Sequence, residues 1–144
     1  RARFASRGDN SGTHFREKNL WKRAGIAPEG DWYIETGQGM GATLLIASEK
    51  GAYTLSDRAT FLALKKRSQL VPLVQGDPLL LNIYSVMEVN PEKFPKVNHA
   101  GAAAFGDFLL TPETQAFIKT YGVDKFGEPL FFPDAGKKEE ELGG

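Results

Sequence analysis

The sequence predicts an α/β fold, a mixed sheet flanked by helices. Three observations predict it. Short apolar runs alternate with helical stretches of about 10–15 residues. Punctuation is dense, with 16 Gly and 8 Pro among 144 residues. A polar, glycine-bearing turn stands between the first apolar run and the first helical stretch.

The elements follow in order. Arg3-Phe4-Ala5-Ser6 reads as the end of a strand, and Arg7-Gly8-Asp9-Asn10-Ser11-Gly12 as a turn. Residues 13–24 read as a helix with Phe15, Leu20, Trp21 and Ala24 on its apolar face. Ser11 or Thr13 suits its N-cap, and Gly25 its stop. Trp32-Tyr33-Ile34-Glu35-Thr36 is aromatic and β-branched, hence a strand. Residues 40–50 form a second helix, ended by Gly51, and Tyr53-Thr54-Leu55 a short strand. Ser56 then caps a helix through Leu64, with Asp57 near its positive end. Residues 70–74 and 81–89 are strand candidates. Residues 97–110 and 112–121 read as consecutive helices, with Pro112 at a first helical position and Gly122 as a stop.

Composition narrows the function. Apolar residues make up 41% and charged residues 25%, which excludes a disordered tail, a collagen-like fibre and a coiled coil. No apolar run approaches the roughly 18–20 residues that a membrane-spanning helix needs. Lys+Arg and Asp+Glu both number 18, so the basic excess of a nucleic-acid binder is missing. The charge is uneven, however: residues 1–25 hold seven basic groups against two acidic ones. That end favours an anion. With no Cys, disulfides, thiolate metal sites and cysteine nucleophiles are excluded.

The chemistry concentrates in Ser6-Arg7-Gly8-Asp9-Asn10-Ser11-Gly12-Thr13-His14. The first amides of a helix have no internal partners, and the helix dipole adds partial positive charge there. Together they make an anion site. Gly8 and Gly12 let backbone approach closely. Ser6, Ser11 and Thr13 supply hydroxyls, and Arg7 a permanent charge with a planar fork of donors. The plainer reading is a capped strand–helix junction that binds nothing.

Other signals are weaker. Gly37-Gln38-Gly39-Met40-Gly41-Ala42-Thr43 lacks the Lys-Ser/Thr ending of a P-loop and the third Gly of the dinucleotide pattern. It reads as a close turn where a helix packs on a strand. His14 and Glu17 are too few for a zinc site. No Gly-x-Ser-x-Gly surrounds Ser6 or Ser11. Asp57-Arg58 reads as structural.

The ordered series from Ser6 to His14, Trp21-Lys22, Trp32-Tyr33, Gly37 to Leu44, Tyr53 to Arg58 and Phe131-Phe132-Pro133-Asp134-Ala135 resembles the tungstate-binding receptors of bacterial ABC importers. The resemblance runs from Phe4 to Ala135. It implies one lobe of a type II periplasmic-binding-protein fold, working as an extracytoplasmic solute receptor with an ABC permease as partner. It implies no enzyme and no cofactor, only a tetrahedral oxyanion ligand, tungstate or molybdate, in an inter-lobe cleft. Carried over, Arg7 and Thr13 touch the anion, and Ser6, Ser11 and Gly12 add hydroxyl or amide donors. Asp9 is expected to face away, bonding turn amides or orienting Arg7.

Family members carry an earlier lobe with a Thr/Ser-rich anion loop, which these residues lack. Residues 1–110 are therefore expected to form the second lobe, 111–135 a C-terminal helix and return segment, and 136–144 a flexible tail. Weak or no binding by this chain alone and a homodimer through exposed strand edges are the further expectations. The alternative function is the oxyanion- or small-ligand-sensing effector domain of a regulator with the same fold. A phosphate-ester enzyme lacks a convincing base, nucleophile or metal set.

Overall fold

The computed structural model describes residues 2–142. They fall into two compact units, the first ending at Gln75 and the second beginning at Gly76.

The first unit is a small doubly wound α/β layer. It contains β1 (Phe4–Ser6), α1 (Gly12–Arg23), β2 (Tyr33–Glu35), α2 (Met40–Lys50), β3 (Tyr53–Thr54) and α3 (Arg58–Leu64). The strands run in the order β2-β1-β3, with both pairings parallel. The chain leaves β1 toward β2 through α1, then returns over β1 through α2 to reach β3. Strand order therefore reverses beside β1, and the carboxyl ends of the strands open there. Open α/β sheets bind ligands outside that edge.

Small residues let the layers close. Ala5 and Ala47 are fully buried and Ala52 nearly so, with Leu70 packed on them. Leu44 and Thr43 are fully buried on the inner face of α2. On the other flank, Phe4 meets Trp21 edge-on at 5.1 Å and stacks on Tyr33 at 6.2 Å. Trp21 in turn meets Trp32 at 5.7 Å. Such pairs contribute about 0.5–1.5 kcal/mol each beyond their buried area.

Three expectations change. The sheet is parallel throughout the described strands, because residues 70–74 and 81–89 form none. Their apolar runs are interrupted by Pro72 and flanked by Pro78, and a strand needs a hydrogen-bonding neighbour that these segments do not find. The inward face of α1 is His14 and Glu17, not Phe15, which is 55% exposed. The cap of α3 is Asp57 rather than Ser56. Asp57 Oδ2 accepts from the Thr60 amide at 2.8 Å and Oδ1 from the Thr60 hydroxyl at 2.9 Å.

The second unit holds α4 (His99–Leu110), α5 (Pro112–Thr120) and α6 (Val123–Phe126). Asn98 caps α4 through the Gly101 amide, and Thr111 caps α5 through the Thr114 amide, with Pro112 at the first helical position. Gly122, at φ 93°, ends one helix and starts the next. A chain of rings, Phe117–Tyr121–Phe131–Tyr84, has centroids 5.4, 6.3 and 6.0 Å apart. Many apolar side chains of this unit are exposed, among them Met87, Phe105 and Phe117. Glu139–Glu141 form a turn of 3-10 helix, and residues 143–144 of the expected tail lie outside the described residues.

Candidate functional site: the turn between β1 and α1

The turn is held open by its own side chains. Ser11 is the N-cap of α1, and its Oγ accepts the His14 amide at 3.3 Å. The Ser11 carbonyl takes the Phe15 amide at 2.9 Å. This leaves the amides of Gly12 and Thr13, the first two of the helix, without a protein acceptor among the described residues. The Thr13 hydroxyl also has none. Around Gly12 there is open space: nothing lies within 4 Å of where a Cβ would stand. No acidic residue stands in the first turn of the helix to neutralise these donors.

The other turn amides are engaged. Gly8 N–H donates to Ser6 Oγ at 3.2 Å, and Asn10 N–H to His14 Nδ1 at 3.0 Å. Ser11 N–H donates to Asp9 Oδ1 at 3.1 Å. Asn10 takes a left-handed conformation, φ 56°, which Asn tolerates better than most residues. Gly8 needs to be glycine twice over. Its φ is +61°, and a Cβ there would stand 2.9 Å from Glu35 Cβ.

Arg7 is clamped rather than loose. Its Nε donates to Asp9 Oδ2 at 3.0 Å, and Nη2 reaches the same oxygen. Asp9 thus both orients Arg7 and bonds a turn amide. Hydrogen bonding from Ser11, then the Arg7 charge, lowers the Asp9 carboxyl to about 2. It is ionised throughout the physiological range and acts purely as an acceptor. The guanidinium keeps its Nη1 hydrogens for another partner.

Ser6 has another task. It is fully buried, and its Oγ donates to Glu17 Oε2 at 2.6 Å. Glu17, only 3% exposed, also accepts from Trp21 Nε1 at 3.0 Å and Tyr33 Oη at 2.7 Å through Oε1. Burial first, then the Glu17 acceptor and its charge, push the Tyr33 hydroxyl up to about 12. The sequence reading weighed Glu17 only as a metal ligand beside His14. The readable signal was Trp21, one turn along on the same helix face.

The second glycine run is a packing turn, as its pattern suggests. Thr36 Oγ1 donates to the Ser6 carbonyl at 3.1 Å and pairs with Thr43 Oγ1 at 2.7 Å. Beside Gly41 the helices α2 and α3 meet, and a Cβ there would stand 3.4 Å from Leu64 Cδ1, an ordinary contact. Among the described residues, no group of three or more His, Asp or Glu is arranged to hold a metal ion. An open groove of about 700 Å³ runs beside α1 and residues 25–30. Its lining mixes Lys18 and Lys22 with Glu29 and Glu35, so it offers an anion no field of one sign. The turn does.

A family model described as a PBP superfamily domain matches residues 1–113. The chain belongs to the PBP superfamily. It is 47% identical over 135 residues to the tungstate-binding protein TupA of Peptoclostridium acidaminophilum, covering 94% of this chain and 47% of that protein. The crystal structure of the tungstate ABC transporter from Geobacter sulfurreducens matches with TM-score 0.72 at 49% identity, over 83% of this chain and 51% of that one. The tungstate-binding protein TupA from Desulfovibrio alaskensis G20 matches with TM-score 0.75 at 43% identity, over 93% and 55%. The chain spans about half the length of the curated relatives it matches. The one-lobe α/β reading of this PBP superfamily member agrees with these neighbours.

Proposed function

We propose that this chain is a ligand-binding lobe of an ABC importer's extracytoplasmic solute receptor, and that it grips a tetrahedral oxyanion, tungstate or molybdate. The observation that carries the reading is the pair of open amides at Gly12 and Thr13. They follow Arg7 in the same turn, at the edge where strand order reverses. The Thr13 hydroxyl completes the donor set. Ser11 supports it as the helix cap, and Ser6 from beneath. The chain acts as a binding module, not an enzyme, and needs no cofactor.

The donor chemistry selects the ligand. Tungstate is a deprotonated dianion near neutral pH and only accepts hydrogen bonds. The Asp9 oxygens already accept from Arg7 and Ser11, and the open amides of Gly12 and Thr13 can only donate, so the O–H of a protonated phosphate is less well matched here than an oxygen of tungstate. Mismatched polar groups of that kind are how such sites reject a competitor. In the whole receptor the remaining donors come from the other lobe. Closure of the two lobes on the anion is the state the permease reads. The names of the relatives support this reading, and so does the net basic end of the chain.

Thermal denaturation with millimolar tungstate, molybdate, sulfate and phosphate tests it. Stabilisation by the first two alone is the expected result. Equal stabilisation by all four, or by phosphate alone, rejects it.

A further inference from the structure

We propose that Glu17 is the positioning residue of the oxyanion turn: by accepting the hydrogen bond of the Ser6 hydroxyl, it turns the Ser6 lone pairs toward the Gly8 amide and so fixes the backbone from Arg7 to Gly12. This rests on the reading of the turn as an oxyanion site.

Three donors converge on one buried carboxylate. They come from β1 (Ser6), α1 (Trp21) and β2 (Tyr33), at 2.6, 3.0 and 2.7 Å. A carboxylate is an acceptor at every lone pair, and an indole N–H can only donate. The direction of the Ser6 hydroxyl is therefore set: its hydrogen points to Glu17. Its remaining lone pairs face the chain that follows, where the Gly8 amide donates at 3.2 Å. Gly8 is the left-handed residue on which the turn pivots, next to Arg7. An amide at position 17 would bring two hydrogens where only acceptors serve. It would turn the Ser6 hydroxyl and release Gly8.

The charge of Glu17 opposes an incoming dianion, so its contribution to binding is geometric. It also means the Ser6 hydrogen is committed inside the protein. The ligand is left with amides, Arg7 and Thr13.

The test is a double-mutant cycle on the full chain with Glu17→Gln and Ser6→Ala, read by tungstate titration and by hydrogen exchange of the Gly8 amide. Each single variant is expected to bind tungstate at least about tenfold more weakly, with the double variant no weaker than the weaker single. Gly8 exchange is expected to quicken about tenfold or more in all three. Additive losses, or wild-type affinity in a folded Glu17→Gln variant, overturn the proposal.

Trp21→Phe removes the indole donor to Glu17 Oε1 and leaves the Ser6 bond on Oε2 in place. It is expected to lower Tm while leaving Gly8 exchange and tungstate affinity unchanged. If it weakens both as Glu17→Gln does, the role of Glu17 is structural only. Should Glu17→Gln not fold, Glu17→Asp withdraws the carboxylate by one methylene and carries the same expectations. If the wild-type chain takes no tungstate, the anion needs the donors of the other lobe as well. Gly8 exchange then decides the role of Glu17 without ligand, and unchanged exchange in the variants overturns it.

Discussion

The Asn10 amide donates to Nδ1 of His14 across 3.0 Å. The imidazole is 5% exposed, and its Nδ1 is an acceptor, so the ring proton sits on Nε2. A left-handed Asn and a buried His thus lock the middle of the turn onto the helix that follows it. His14→Ala leaves the Asn10 amide without this partner. The expected cost is about 1–3 kcal/mol, measured as a fall in the denaturation midpoint. A variant as stable as wild type would remove His14 from the turn's support.

Gly8→Ala combines a left-handed backbone with a 2.9 Å approach to Glu35 Cβ. A non-glycine residue held in such a conformation costs about 1–3 kcal/mol. The Glu35 contact adds to it, because a strand residue has little room to retreat. Urea denaturation is expected to show the loss. Gly12→Ala, at a position with open surroundings and no positive φ, is expected to leave stability near wild type.

Acid should open the turn late. Hydrogen bonding from Ser11, with the Arg7 charge, lowers the Asp9 carboxyl to about 2, against an unfolded value of about 3.9. A carboxyl lowered on folding contributes stability that is complete above its unfolded value and disappears as pH falls through its folded one. The Asp9 contribution therefore disappears between about pH 4 and pH 2. An NMR titration of the Asp9 side-chain carbonyl is expected to give a midpoint near 2. In Ser11→Ala the midpoint is expected to rise.

Much of the first unit was legible because its signals are local. Ser11, Gly51 and Pro112 each sit where the rules for caps and helix ends place them. The strand–turn–helix from Phe4 to Arg23 followed from them. What stayed hidden depends on partners far along the chain. Residues 81–89 look like a strand because they are apolar, but a strand is a pairing. Glu17 looks like half of an incomplete metal pair with His14 until Tyr33, sixteen positions on, brings its hydroxyl to it. Ser6 looks like a ligand donor until that same carboxylate accepts its hydroxyl hydrogen bond. The separation into two units at Gln75 leaves no mark of its own in the composition.

Arg7 carries the formal charge of the proposed site. Arg7→Ala is expected to weaken tungstate binding by about 2–5 kcal/mol, with little change in fold because the side chain lies on the turn's partly exposed face. Arg7→Lys is expected to recover only part of this, since an ammonium cannot clamp Asp9 and a ligand with one rigid fork. Calorimetric titration of the three proteins checks both.

The central claim is tested most directly by following backbone amide resonances while tungstate is added to the chain. The account predicts that Gly12 and Thr13 move first and furthest, that phosphate at the same concentration leaves them in place, and that Arg7→Ala abolishes the response. Tungstate shifts centred on the groove beside α1, with Gly12 and Thr13 unmoved, would contradict it.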